Sequence, residues 1–239
     1  MPITAATAMT TDLSAPQALT LAAWLSPAFP VGAFSYSHGL ETGVERGLVN
    51  DEDGLRRWLG DLLAFGSARN EAILFREAWR SAPRPGRFLG TARLAASLRA
   101  GAELALESEA QGEAFLRTVA AAWPHTLLEE RWSDLRRNAI PPVLPVAVGL
   151  CCRCRGLPED GALTLYLHAF MANLISAGVR LIPLGQTAGQ RVTAALEADI
   201  LALTAASAPL GLDDLGSAAL TAELCTLQHE TQYTRLFRS

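Results

Sequence analysis

Apolar residues recur along the chain with the period of an α-helix, and no stretch alternates apolar and polar residues for long enough to predict a strand. The clearest apolar stripe follows Asn50 and Asp51, one of which is predicted to cap the helix, and it consists of Leu55, Trp58, Leu59, Leu62 and Leu63. Earlier stripes predict a short helix that closes at Trp24 and Leu25, and a second helix that carries Leu40, Val44 and Leu48. Further helices are predicted near residues 69–81, 87–100, 102–122, 127–137, 143–154, 160–182, 188–206 and 217–230.

Proline and glycine cluster between these stripes, at residues 82–86, 140–145, 156–161 and 209–216. Leu and Ala far outnumber Val and Ile, which also favours helix over strand. We therefore predict an all-α fold, a compact multi-helix bundle of about ten helices that forms a single domain over residues 17–239. Residues 1–16 lack the basic and apolar segments of a signal peptide, and we interpret them as a flexible lead-in of a cytoplasmic protein.

The longest apolar run, residues 162–184, is almost long enough to cross a membrane. His168, Asn173 and Arg180 interrupt it at a cost that an isolated membrane span does not easily bear. A buried central helix is therefore the preferred interpretation, and no membrane contact is expected.

Composition excludes several kinds of chemistry. The net charge is −4, and no clustered basic field indicates a nucleic-acid partner. All 20 basic residues are Arg, so the chain cannot form a P-loop with its lysine or a lysine Schiff base. It also lacks a G-x-S-x-G nucleophile elbow, and no catalytic residue is predicted.

Three groups of residues have side chains that can ligate metals. Cys151, Cys152 and Cys154 lie close together but do not form a C-x-x-C pair, so buried reduced thiols are favoured over a metal site. The two remaining pairs, each on one predicted helix face, are Cys225 with His229 and His38 with Glu41. Neither pair has a third ligand nearby in the sequence, so we predict no metal site and no cofactor, although these pairs leave a metal-binding alternative open.

Residues 25–47 contain more glycine, serine and aromatic residues than a loop and a helix require. Pro30 stiffens the loop, while Gly39, Gly43 and Gly47, spaced four apart, predict close approach of a neighbouring helix. That neighbour is either another helix of the same bundle or a second subunit. Tyr36, His38 and Glu41 are predicted to be the polar and aromatic contacts of a partner-binding surface.

Three stretches together resemble the urease accessory protein UreF family: "SPAFPVGAFSYSHGLE" at 26–41, "AGVRLIPLGQTAGQ" at 177–190 and "HETQYTRLFRS" at 229–239. The resemblance follows the family's order of motifs and extends over almost the whole chain. It implies an all-helical, non-enzymatic scaffold that forms a homodimer and binds the accessory protein UreD, also called UreH. Together they would recruit the GTPase UreG to urease apoprotein for GTP-dependent assembly of the nickel centre.

The resemblance also implies roles for single residues. Tyr36 and Arg180 belong to motifs tied to UreG recruitment or to passage of nickel between the proteins. Residues 231–239 are expected to dock on the UreD-like partner and to become ordered there, with contacts from Tyr233, Arg235, Phe237 and Arg238. Two other classes stay open, a nickel-binding metallochaperone and a helical enzyme with an external cofactor. Whether the chain speeds GTP hydrolysis with an arginine or restrains it also stays open.

Overall fold

The computed structural model describes residues 13–98 and 101–239, and over these ranges it contains eleven α-helices, two short 3₁₀ turns and no strand. The 3₁₀ turns are Ala33–Ser35 and Leu212–Asp214. The helices are α1 (Ala15–Trp24), α2 (Leu40–Glu45), α3 (Glu52–Phe65), α4 (Ser67–Ser81), α5 (Pro85–Ser97), α6 (Ala102–Ala122), α7 (Thr126–Arg137), α8 (Leu144–Cys154), α9 (Glu159–Leu181), α10 (Gln186–Ala206) and α11 (Leu220–His229). The predicted all-α fold is confirmed.

The helix ends follow from local chemistry. Asp51 caps α3 by accepting a hydrogen bond from the Gly54 amide at 2.7 Å, and proline occupies the first turn of α1, α5 and α8, where its missing N–H is tolerated. Helix α1 begins at Ala15, so residues 15 and 16, which were predicted to belong to a flexible lead-in over residues 1–16, are helical. Residues 1–12 lie outside the described ranges.

α4 lies at the centre of the bundle and packs most extensively against α8. Phe75 is completely buried, and Gly149 of α8 lies so close that a Cβ there would come within 2.4 Å of the Phe75 carbonyl oxygen. Gly112 of α6 is similarly crowded, because a Cβ there would lie 2.1 Å from the Pro142 carbonyl oxygen. Gly149 lets α8 approach the backbone of α4, and Gly112 lets α6 approach the backbone of the loop before α8.

A buried ion-pair network joins α4 to α9 and α10. Arg76 is 1% exposed and donates to Glu159 at 2.6 Å, to the Ser207 hydroxyl at 2.9 Å and to the Thr204 carbonyl at 2.5 Å. Asp160 lies 2.7 Å from the same guanidinium, and Arg80 pairs with Glu159 from the next turn of α4. The guanidinium thus has partners on two other helices, as a buried charge requires.

α9 contains the long apolar run and contacts α2, α3, α4 and α10. By length and hydropathy it is the one helix of the described ranges that could cross a membrane, with half of its most apolar window buried in the fold. A core helix of a globular domain has the same properties. Gly178 faces Leu55 of α3, where an added Cβ would lie 2.6 Å from a leucine methyl, so α9 and α3 interlock closely.

The prediction that Gly39, Gly43 and Gly47 form a row along the second helix is wrong, because α2 spans only Leu40–Glu45. Gly39 precedes the helix at φ 75° and Gly47 follows it at φ 71°, so both adopt the left-handed backbone that favours glycine. A Cβ on Gly39 would lie 2.7 Å from the Thr226 amide nitrogen of α11, whereas one on Gly43 would meet the Trp58 ring at 3.1 Å. The close neighbours seen here belong to the same chain. A role of these glycines and of the exposed Pro30 in a dimer stays a prediction.

This geometry predicts unequal effects of substitution. Gly39→Leu is expected to lower the free energy of unfolding by about 2–4 kcal/mol, because it adds overpacking against α11 to an unfavourable backbone angle. Gly47→Asn is the matched control and is expected to be nearly neutral, since nothing lies within 4 Å and asparagine tolerates the left-handed region. Urea denaturation measures both, and equal stabilities of the two variants would contradict the proposed contact between Gly39 and α11.

Candidate functional site

The loop that precedes α2 is held against α9 by two side chains. Asn173 donates to the Ala33 carbonyl at 2.9 Å, and Arg180 donates to the Phe34 carbonyl at 2.8 Å. These bonds satisfy carbonyls of the 3₁₀ turn and fix the path of the loop towards Tyr36.

His38 lies at the end of this loop in an unusual backbone conformation. Its φ of 52° is left-handed, which is uncommon for a residue other than glycine. The ring is held by Glu107 of α6, with 3.0 Å between Nε2 and the carboxylate, and packs edge-on against Phe170 at 5.0 Å between centroids. His38 and Gly39 together turn the chain into α2.

Residues 230–239, here called the C-terminal segment, fold back onto the loop and α2. The amides of Leu236 and Phe237 both donate to the Glu41 carboxylate, at 2.6 and 2.9 Å. Further along, the Arg238 amide donates to the Ser35 carbonyl at 2.8 Å, and the Ser37 amide donates to the Ser239 carbonyl at 2.9 Å. The segment is thus bonded to the chain over its last four residues.

α6 supplies two more carboxylates to the segment. Glu103 accepts a hydrogen bond from the Arg235 guanidinium at 2.5 Å, and Glu107, one turn later, accepts one from the Ser239 hydroxyl at 2.9 Å. We call Glu41, Glu103 and Glu107 the acidic clamp. The clamp holds both backbone and side-chain donors of the segment, and such bonds to charged acceptors are stronger than neutral ones.

His229, the last residue of α11, lies between two members of the acidic clamp. Its Nε2 is 3.0 Å from Glu41 and its Nδ1 is 2.7 Å from Glu103, and the ring is completely buried. Both ring nitrogens therefore have carboxylate partners. Within residues 13–98 and 101–239, no group of three or more His, Cys, Asp or Glu side chains is arranged to hold a metal ion.

Arg180 and Tyr36 border the segment on its other side. The Arg180 guanidinium lies 4.4 Å from the centroid of the Phe237 ring, a cation–π contact, and partial burial lowers the pKa of this arginine. Tyr36 is only 6% exposed, and this burial raises the pKa of its phenol. The charge of Glu107 raises this pKa further, whereas the charge of Arg238 lowers it. The phenol stays protonated at neutral pH and is available as a hydrogen-bond donor.

The fold brings together nearly all residues that the sequence predicted as partner contacts. The residues that gather around the acidic clamp are Tyr36, His38, Glu41, Arg180, Arg235, Phe237 and Arg238. In this structure the segment is bonded to its own chain. That it docks on the UreD-like partner and becomes ordered there stays a prediction. Phe237, predicted as a partner anchor, is 4% exposed and packs inside this chain.

Sequence reasoning missed Ser37, Glu103, Glu107 and Ser239. Glu103, Glu107 and Gln111 repeat every fourth residue of α6, and this spacing is the one signal that could have placed them on a common face. Gln111 donates to Glu107 at 2.9 Å and completes that row.

The outer side of the C-terminal segment faces solvent. Tyr233 is fully exposed, Leu236 is 64% exposed, and Arg235 and Arg238 are also exposed. An exposed aromatic ring and two exposed guanidinium groups are typical of protein-binding surfaces.

The three cysteines of α8 belong to the core rather than to the site. Cys151 and Cys152 are completely buried, and burial raises the pKa of both thiols strongly. Burial also raises the pKa of Cys154 to about 12, against the opposing charges of Arg131 and Arg153. The pKa of Cys225, buried in α11, is raised for the same reason. All four thiols are therefore protonated at neutral pH.

Together the fold and the site define an all-helical protein whose acidic clamp holds its own C-terminal segment against α2 and α6. Comparison with known sequences then identifies the family. The family model for UreF matches residues 49–197. The chain is 47% identical over 227 residues to the urease accessory protein UreF of Magnetococcus marinus, which covers 92% of this chain and 97% of that protein.

Two further relatives agree. The urease accessory proteins UreF of Xanthobacter autotrophicus and Cereibacter sphaeroides are 48% and 47% identical, each over 92% of this chain and over 90% and 98% of their own lengths. The chain belongs to the UreF family, whose general role is in urease maturation. Of the site, the family match includes Glu103, Glu107 and Arg180.

Proposed function

We propose that this protein is a non-enzymatic, cytoplasmic scaffold of urease maturation. It forms a homodimer, binds a UreD-like (UreH-like) accessory protein and, with it, recruits the GTPase UreG to urease apoprotein for GTP-dependent assembly of the nickel centre. The single observation that carries the proposal is the C-terminal segment, which is bonded to the acidic clamp on one side and exposes Tyr233, Arg235 and Arg238 on the other.

The geometry supports a division of labour within the site. Glu41 accepts a hydrogen bond from the C-terminal segment, and His38 contacts Glu107. Both side chains are therefore engaged within the chain, and we propose that they position the exposed surface of the segment. Tyr233 and Arg238 carry exposed side chains and are the contacts proposed for the partner. Arg180 lies between these groups, with its guanidinium against Phe237 and its side chain partly exposed.

The two rival classes have less support. A nickel-binding metallochaperone would use His229 with Cys225 or His38 with Glu41. However, the ring of His229 is engaged with two carboxylates, and the Cys225 thiol is protonated at neutral pH. For a cofactor-dependent enzyme, the described part of the chain offers only exposed arginines, which a scaffold uses equally well for binding.

Co-purification tests the proposal. The chain is co-expressed with its UreD-like and UreG partners and urease apoprotein, and the retained proteins are quantified. Tyr233→Ala combined with Arg238→Ala is expected to reduce capture of the UreD-like partner at least about tenfold, because exposed aromatic and arginine anchors dominate such interfaces. The matched control is Arg56→Ala, an exposed arginine on α3, which is expected to bind as the unmodified chain does.

Two outcomes would overturn the proposal: recovery of no maturation partner with the unmodified chain, or equal capture by the double variant and the control. Single-turnover GTP hydrolysis by the UreG partner, with and without this protein, separates activation of hydrolysis from restraint. The scaffold role holds in either case.

A further inference from the structure

Helix α6 begins without a capping side chain of its own. The residue before it is Gly101, which offers no side-chain oxygen to the amides of the first turn. The Ala102 amide instead donates to the Glu230 carboxylate at 2.7 Å, across 128 residues of sequence. A carboxylate at this position satisfies one of the unpaired amides and interacts favourably with the positive end of the helix dipole. Glu230, the first residue of the C-terminal segment, therefore caps α6.

Gly101 leaves the space that this carboxylate occupies. A Cβ on Gly101 would lie 2.6 Å from Oε1 of Glu230, closer than the two atoms can approach. Any other residue at position 101 would therefore displace the glutamate side chain. The contact between Glu230 and α6 depends on glycine at this position.

The first turn of α6 holds the C-terminal segment at two points. Glu230 accepts the Ala102 amide, and the Arg235 guanidinium donates to the carboxylate of Glu103, the next residue of the helix, at 2.5 Å. Residues 231–234, here called the exposed turn, connect these two points. Both ends of the exposed turn are thus bonded to successive residues of one helix.

Further hydrogen bonds fix the exposed turn between its ends. The Gln232 amide donates to the His229 carbonyl at 3.1 Å, and the Gln232 side chain accepts a hydrogen bond from the Thr42 hydroxyl of α2 at 2.7 Å. The same side chain donates to the Thr234 carbonyl at 3.0 Å. Tyr233, which is fully exposed, is therefore presented by a turn whose backbone is held from three directions.

We propose that Glu230 is a positioning residue for partner capture: by capping α6, it fixes the start of the exposed turn and so sets how Tyr233 is presented to the UreD-like partner. The consequence for the partner rests on the proposed function, whereas the cap belongs to the isolated chain. Loss of the cap loosens the exposed turn, and the turn must then be ordered on binding, which lowers affinity.

Three variants separate positioning from a general effect on stability. Glu230→Ala removes the cap and the contact together. Gly101→Ser combined with Glu230→Ala restores a cap, since serine is a preferred capping residue, but not the link to the C-terminal segment. Gly101→Ser alone keeps α6 capped, while its Cβ displaces Glu230. The matched control is Glu197→Ala, at an exposed glutamate of α10.

Amide hydrogen exchange of the isolated, full-length chain measures the cap. The Ala105 amide donates to the Gly101 carbonyl and reports the first turn of α6. Its protection is expected to fall about fivefold in Glu230→Ala, because a capping residue typically contributes a factor of this size. Protection is expected to return to the native level in the double variant. Unchanged protection in Glu230→Ala would overturn the proposed cap.

Co-purification with the UreD-like partner measures positioning. All three variants are expected to reduce capture at least about threefold relative to Glu197→Ala, because each loses the link between the exposed turn and α6. A purely structural role of Glu230 predicts instead that capture recovers wherever α6 is capped again, in the double variant and in Gly101→Ser, and that result would overturn the proposal. If the unmodified chain captures no partner, both the proposed function and the positioning role fail, and the exchange measurement still decides whether Glu230 caps α6.

Discussion

Deletion of residues 233–239 is expected to abolish capture of the UreD-like partner and also to destabilise the free protein. The deletion removes the exposed Tyr233 and Arg238, but it also removes the buried Phe237 and both amides that satisfy the Glu41 carboxylate. Loss of one buried phenylalanine side chain costs about 3 kcal/mol or more. For a chain of this length, that corresponds to a decrease of about 6–12 °C in melting temperature.

Two point variants separate these effects. Phe237→Ala is expected to lower the melting temperature by most of this amount, because it removes the ring beneath Arg180. Tyr233→Ala is expected to weaken partner capture with an unchanged melting temperature, since its side chain is fully exposed. Calorimetry and co-purification measure the two quantities. A truncated protein that melts like the full chain would show that the contacts of the segment contribute nothing to stability in solution.

Arg76→Ala is expected to cause the largest loss of stability among single substitutions, about 3–5 kcal/mol. The guanidinium is buried and joins α4 to Glu159 of α9, to the Thr204 carbonyl of α10 and to the hydroxyl of Ser207, which follows α10. Its removal leaves Glu159, which is 3% exposed, with Arg80 as a remaining cationic partner. The free energy of unfolding in urea measures the loss.

The informative control pairs Arg76→Met with Glu159→Gln. This double variant removes both buried charges and keeps much of the apolar volume, so it is expected to be less destabilised than Arg76→Ala. A loss below about 1 kcal/mol in Arg76→Ala would show that water or Arg80 replaces the guanidinium at little cost.

The helices could be predicted from the sequence because their signals are local. Asp51 caps α3, prolines open α1, α5 and α8, and apolar stripes repeat through each long helix. The second helix was predicted too long because its glycines share the helical spacing of four. The backbone angles of Gly39 and Gly47 place both outside α2, and periodicity alone does not reveal a left-handed residue.

The candidate site was predictable in part. The motifs around Tyr36, Arg180 and Phe237 could be recognised, but not their mutual contacts, because Glu41 and the Phe237 amide are 196 residues apart. Glu103 and Glu107 resemble solvent-exposed glutamates of an amphipathic helix until the C-terminal segment covers them. A terminal segment with apolar and arginine residues fits a partner surface or its own chain equally well, and only the three-dimensional fold distinguishes them.

Burial raises the pKa of all four cysteine thiols, so they are expected to react slowly with reagents that attack thiolates. Such reagents react with the deprotonated sulfur, and the pKa values of all four native thiols are raised by burial, that of Cys154 to about 12. A single cysteine introduced at position 233, where the native side chain is fully exposed, would therefore be the preferred site of modification. A dye or spin label would therefore attach mainly at position 233, with little labelling of the native cysteines, and would report the motion of the C-terminal segment.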